Sequence, residues 1–296
     1  MKHIILFLMI SVSSLLIISC SELESNLEPP PVINTHSQDI LNTASADFHG
    51  NLIRQSNWDM SMCKQCHGIS YDGGLAKSSC FSCHNNPAGP ENCSTCHGSE
   101  LSPAPPRDLN GNTSTTDRGV GAHQVHLAGN SNGKTLSCAE CHTVPASLNT
   151  AGHLDSDNKA EVMMSNYLAN LNTNGASTTE YDPTVSLFVP NPIYNSSDQS
   201  CSNTYCHGYF KNGNLNNKMI WTSQTSTACG SCHGDVTKPT PNERALPKNI
   251  TEGGTHPNLL ACYVCHEDVV DENLKIINFS KHIDGRLNLF GNDIEY

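Results

Sequence analysis

Cys63-Lys-Gln-Cys66-His67, Cys80-Phe-Ser-Cys83-His84 and Cys93-Ser-Thr-Cys96-His97 repeat one arrangement: two thiols three positions apart, with an imidazole directly after the second. It returns at Cys138-Ala-Glu-Cys141-His142, Cys229-Gly-Ser-Cys232-His233 and Cys262-Tyr-Val-Cys265-His266, and in expanded form at Cys201-Ser-Asn-Thr-Tyr-Cys206-His207. Thiols at this spacing can add to the two vinyl groups on one edge of a porphyrin, and the next residue then places its imidazole under the iron. This is the attachment pattern of c-type haem. It predicts seven covalently bound haems, with fourteen thioether cysteines and seven proximal histidines. Zinc knuckles also use CxxC pairs, and exported cysteine-rich chains form disulfides, but neither requires histidine after every pair. With 15 His in 296 residues, seven such coincidences have a probability on the order of 10⁻⁹. For the four-residue spacer, a disulfide between Cys201 and Cys206 is the competing reading.

Seven irons need seven distal ligands if all are six-coordinate. Outside the motifs the mature chain has His36, His49, His123, His126, His153, His256 and His282, which is also seven. Bis-histidine ligation leaves no open position for substrate, so such haems carry electrons. His123 and His126, at i and i+3, lie on one side of a helix and can serve two haems. Three haems precede residue 102, but only His36 and His49 accompany them; one histidine, His123 or His126, is therefore expected to cross to that group. Met60 and Met62 are competing axial ligands near the first motif.

The elements that position these groups are expected to be short. Ser79, Asn92, Ser137 and Ser200 each precede a first cysteine and are N-cap residue types, and Ser137 with Glu140 has capping-box spacing. Each motif should open a short helix. Hydrophobic residues are 36% and aromatics 6%, low for a core made of side chains alone. The expected fold is that of a multihaem cytochrome c: mostly irregular chain with short α-helices wrapped around a haem core, and little β structure. Without haem this composition would resemble disorder, and the apoprotein is expected not to fold.

Residues 1–19, a short basic start and an apolar run, read as a secretory signal. Ile17-Ile18-Ser19-Cys20 resembles a bacterial lipobox with Cys20 as the lipidation site, and Cys20 is the one cysteine of fifteen left over by the motifs. Residues 20–43, with three consecutive prolines, read as a polar tether. Then follow a three-haem module at 44–101, a Pro/Asn/Thr-rich linker at 102–116 and a four-haem module at 117–296. Within the latter, residues 181–190 read as extended. Net charge is −12; removal of the signal, charged only at Lys2, leaves 15 basic against 28 acidic residues, or −13. Nucleic acid is thereby an unsuitable partner, and a redox protein docking electrostatically should present a basic patch.

Gly121-Ala-His-Gln-Val-His-Leu127, Leu136 to Pro145, Cys201 to Gly208, Ala228 to Gly234 and Lys281-His-Ile-Asp-Gly285 resemble the CxxxxCH/CxxCH multihaem cytochromes of metal-reducing bacteria, over residues 119–286. The resemblance implies extracytoplasmic electron transfer, often toward extracellular acceptors. His282 meets the family's H-[IV]-[DN]-G distal pattern, whereas His153, in His-Leu-Asp-Ser, departs from it. Ser21 after the lipidation site resembles outer-membrane sorting, on the periplasmic face or the cell surface. The expected function is an electron carrier without catalytic residues. The competing readings are a multihaem reductase of a small oxyanion with one open iron, and a subunit of a polymeric cytochrome wire.

Overall fold

The structure is a computed structural model that describes residues 35–130, 132–155, 159–164, 168–171, 190–210, 213–223, 225 and 227–295. The signal, Cys20, most of the tether and residues 181–189 lie outside them. Two compact units divide the chain, Met1–Gln55 and Ser56–Tyr296.

In the first unit, helix α1 (His49–Gln55) follows a series of turns. Residues 35–43, expected to be part of an extended tether, already turn: Ile40 N–H donates to Ser37 O and Asn42 N–H to Asp39 O. Local side chains cause this, because Ser37 Oγ and Asn42 Oδ1 accept from the backbone two residues on, as Ser and Asn do in turns.

The second unit is mostly irregular chain with a few short helices and little sheet. Helices α2 (Lys64–His67), α3 (Cys93–Cys96), α4 (His123–Ala128) and α5 (Pro241–Ala245) are joined by single turns of 3₁₀ helix. Strands β1 (Ile193–Asn195), β2 (Ser200–Ser202) and β3 (Met219–Ile220) form an antiparallel sheet that pairs Cys201 with Tyr194 and Met219. Strands β4 (Arg286–Leu289) and β5 (Asn292–Glu295) form a hairpin. Its two loop residues, Phe290 and Gly291, both have positive φ, as a type I′ turn requires. The Phe290 N–H donates to Cys265 O, which docks the hairpin on the last motif.

Capping follows the sequence at two of the four expected positions. Ser79 accepts from Phe81 N–H and Asn92 from Ser94 N–H. Ser137 makes no cap bond; Glu140 instead accepts from the backbone N–H groups of Leu168 and Ala169, and so ties the fourth motif to distant chain. Ser200 starts β2 instead of a helix, its hydroxyl bonded to Asp198 at 2.6 Å.

Side-chain burial is thin. Met60, Tyr71, Val120, Met164, Leu168, Ala169, Ala245, Val269 and Val270 are the buried hydrophobic residues among those described, while Ile69, Leu75, Leu101 and Phe290 are mostly exposed. Large apolar side chains left facing outward around cysteine motifs are what a fold that packs on flat apolar cofactors would present. Among the described residues, no helix is long and apolar enough to cross a membrane.

Candidate haem sites

In four of the six motifs with two-residue spacers, one helical turn does the positioning. The backbone N–H of His84, His97, His142 and His266 donates to the carbonyl of the first cysteine of its own motif at 2.9–3.0 Å. This turn puts positions i, i+3 and i+4 on one side, so both thiols and the imidazole face the same way. The expanded motif solves the problem differently. Cys201 sits on β2, Asn203 takes a left-handed conformation (φ 55°), and a 3₁₀ turn from Tyr205 to His207 carries the rest. The sixth motif has no helix; Asn214 clamps it instead, its Nδ2 donating to Gly230 O, Ser231 O and Gly234 O at 2.8–3.0 Å.

No disulfide joins the fourteen motif cysteines, Cys201 and Cys206 included. Burial raises the thiols of Cys141, Cys201 and Cys232 to about 11 and that of Cys206 to about 12. No group of three or more metal-ligating side chains could hold an ion among the described residues.

The histidines come together in twos. Ring centres are separated by 6.1 Å for His97 and His153, 6.2 Å for His123 and His142, 6.1 Å for His126 and His207, and 6.4 Å for His256 and His266. A metal–imidazole bond of about 2.0 Å, and about 1.1 Å from ring nitrogen to ring centre, put two imidazoles on opposite faces of one iron at about 6.2 Å. Each pair joins one motif histidine to one spare histidine, so the residues fit a six-coordinate haem iron.

The remaining ring nitrogens support the fit. Nδ1–H donates to a backbone carbonyl in His67 (Ser78), His123 (Val120), His126 (Ala122), His142 (Glu161), His153 (Leu148), His233 (Ala245), His256 (Pro257) and His266 (Asn288), all at 2.7–3.0 Å. A carbonyl can only accept, so Nδ1 carries the proton and Nε2 is left as the metal-binding atom. Burial, then the like charge of the facing histidine, holds His97, His207 and His266 below the ordinary imidazole value, His207 to about 4. Neutral imidazole is the ligand form. His282 is lowered to about 4 by burial and then by the charge of His233. The Asn132 backbone favours the charged ring, yet no acceptor meets His282 Nδ1 in hydrogen-bonding geometry. Beside His233 lies a cavity of about 790 Å³, lined also by Asn214, Val236, Leu260, Lys238 and Lys248.

The spare histidine that faces His97 is His153, not His123 or His126. The carbonyls of Val120 and Ala122, just before helix α4, hold the latter two, which face His142 and His207. His153 is turned toward His97 by a loop in which its N–H bonds Thr150 O and its ring bonds Leu148 O. His36 and His49 belong to the first unit, where His49 Nδ1 donates to Ile40 O at 3.0 Å.

Several successive motifs lie close together. Cys63 raises the thiol of Cys80, Cys141 that of Cys201, and Cys229 that of Cys262, in each case after burial, and Cys232 Sγ lies 3.8 Å from Cys206 O. Trp221 has no sequence signal but packs on two ligand candidates. Its ring centre is 4.8 Å from that of His123 and 5.8 Å from that of His126, and its Nε1–H donates to Arg118 O at 2.8 Å. Gly121 makes room for it: a Cβ there would overlap the indole.

A family model described as the Geobacter CxxxxCH...CXXCH motif matches residues 200–233. No curated protein and no solved structure matches the chain. The matched stretch holds the expanded motif and the one after it, and together with the repeated CxxCH pattern it indicates covalently bound c-type haem of the multihaem cytochrome type.

Proposed function

We propose that this chain is an exported electron-transfer protein carrying seven c-type haems, bis-histidine ligated, along which electrons pass one step at a time between redox partners. The observation that carries the reading is the set of four motif–spare histidine pairs with ring centres 6.1–6.4 Å apart. Bound haem supplies a one-electron Fe(III)/Fe(II) couple. The polypeptide supplies the rest: paired thiols that fix each porphyrin edge, histidines that fill both axial positions, and backbone carbonyls that hold the rings. With both axial positions filled, small molecules are kept from the iron, which suits transfer and not bond chemistry. Proximity of the first motif to the second, and of the fourth through seventh to one another in order, supports a haem run that follows chain order, with His153 joining the third haem to the later group. His282, whose ring is lowered by burial and then by the charge of His233, is the candidate partner of that motif histidine.

The net charge of −12, made more negative by haem propionates, favours a partner with a basic docking patch. A lipid on Cys20 and the tether after it would hold the carrier at a bacterial membrane surface, the outer membrane on the resemblance given above. The test is a haem count by pyridine haemochrome, together with a carbon monoxide difference spectrum of the dithionite-reduced holoprotein. Seven haems and no Soret change are expected. A Soret change equivalent to one haem would refute full saturation and favour a reductase.

A further inference from the structure

We propose that the haem carried by Cys201 and Cys206 is held between crossed axial imidazoles, unlike those of His97, His142 and His266, and that Trp221 is the positioning residue that fixes the crossing. This rests on the haem reading above. The planes of His126 and His207 meet at 84°. Those of His97 and His153 meet at 27°, His123 and His142 at 21°, and His256 and His266 at 17°. The expanded motif is thus the one whose planes cross among these four.

Both rings of the crossed pair have identifiable restraints. His207 leaves a motif that begins on β2, with Cys201 paired to Tyr194 and Met219, and Thr204, buried to 2% exposure, anchors the turn into Cys206. His126 bonds Ala122 O through Nδ1 at 2.9 Å and lies nearly parallel to the Trp221 indole, at 22°. The indole cannot turn freely. Its Nε1–H is held by Arg118 O, its backbone N–H donates to Gln199 O at 2.7 Å, and its plane stands at 87° to that of His123. Trp221 therefore packs against ligand candidates of two haems, nearly parallel to one ring and nearly perpendicular to the other.

The electronic consequence follows from orbital overlap. Each imidazole raises the iron dπ orbital perpendicular to its ring plane. Parallel rings raise the same orbital twice, and the ferric hole resides there and is stabilised. Crossed rings raise each orbital once, which leaves the two nearly degenerate and the ferric state less stabilised. The haem at Cys201/Cys206 should therefore show a strongly anisotropic low-spin EPR signal with a large gmax, and a higher potential than its neighbour at Cys138/Cys141. It would form a local electron-accepting step within the run.

The test is EPR of the frozen, oxidised holoprotein, with potentiometric titration of each signal and mass spectrometry of the 201–207 peptide. A large-gmax signal beside rhombic ones is expected in the wild type, with loss of one haem equivalent of it in the Cys201→Ser/Cys206→Ser variant. In Trp221→Ala, and in Gly121→Ala, whose added methyl displaces the indole, that equivalent should move to the rhombic region and titrate at lower potential. Absence of the signal in the wild type, or its full persistence in the double cysteine variant, overturns the crossing. An unchanged signal in the Trp221 and Gly121 variants overturns the role of Trp221. If Trp221→Ala fails to load haem, the wild-type and cysteine-variant spectra still decide the crossing. A 201–207 peptide without haem mass is a failure of the haem reading itself, separate from that of the ring geometry.

Discussion

His153→Ala isolates the axial pair that the chain's local pattern least suggests. The His97 and His153 ring centres are 6.1 Å apart, so an iron between them lies about 2 Å from each Nε2. On the seven-haem reading, alanine would remove one of those bonds and leave one iron in seven with an open position. The variant also loses the ring's bond to Leu148 O, 2.9 Å and half-buried, a contribution of about 0.5–1.5 kcal/mol. That is small beside the margin of about 5–15 kcal/mol typical of folded domains, so the variant should fold and load its haems. Reduced protein under carbon monoxide should then show an adduct equivalent to one haem, where the wild type shows none. In a Cys93→Ser/Cys96→Ser background, which lacks the haem of His97, His153→Ala should add no further adduct. Persistence of the adduct in that background would mean His153 serves another iron, and the use of ring separations to assign ligands would be wrong.

His282→Ala should create one high-spin haem; an unchanged spectrum would remove His282 from the ligands. Thr240→Ala removes the capping box of α5, at a cost of about 1 kcal/mol readable as a lower Tm of the holoprotein. Because Ala245 O at the end of that helix holds His233 Nδ1 at 3.0 Å, the potential of one haem should shift with it, and an unchanged titration would uncouple cap from ligand. Glu243 is held below its ordinary 4.5 by its bond to Thr240, and Glu252 by its bond to Lys238. Lowered carboxyl values stabilise the fold above 4.5, and that stabilisation is lost as pH falls through the lowered values. Acid unfolding should thus begin below the ordinary carboxylate range, and Glu243→Gln should flatten it. Chain expressed without haem attachment should lack dispersed NMR signals, since few side chains are buried without the cofactor; a dispersed apo spectrum would refute a haem-dependent core.

Chemistry that depends on short spacing was legible in the sequence. The thiols and imidazole of each motif sit within a single turn, so order along the chain already implies convergence, as the bonds from His84, His97, His142 and His266 to their own first cysteines illustrate. The Asn92 and Ser79 caps were legible for the same reason. Ser137 was not: its cap depended on Glu140, whose carboxylate was drawn off to Leu168 and Ala169. The number of spare histidines could be counted, but their pairing could not, because an axial pair is made by loops whose course no local pattern records. His153, outside the family's distal pattern, faces His97, while α4 takes His123 and His126 elsewhere. Trp221 is the extreme case, being tied to Arg118 across 103 residues. Sequence by itself determined what kind of cofactor the motifs can attach, since covalent attachment is local chemistry. Tertiary structure decided which imidazoles face one another and at what angle, since ring planes are set by packing between segments far apart in the chain.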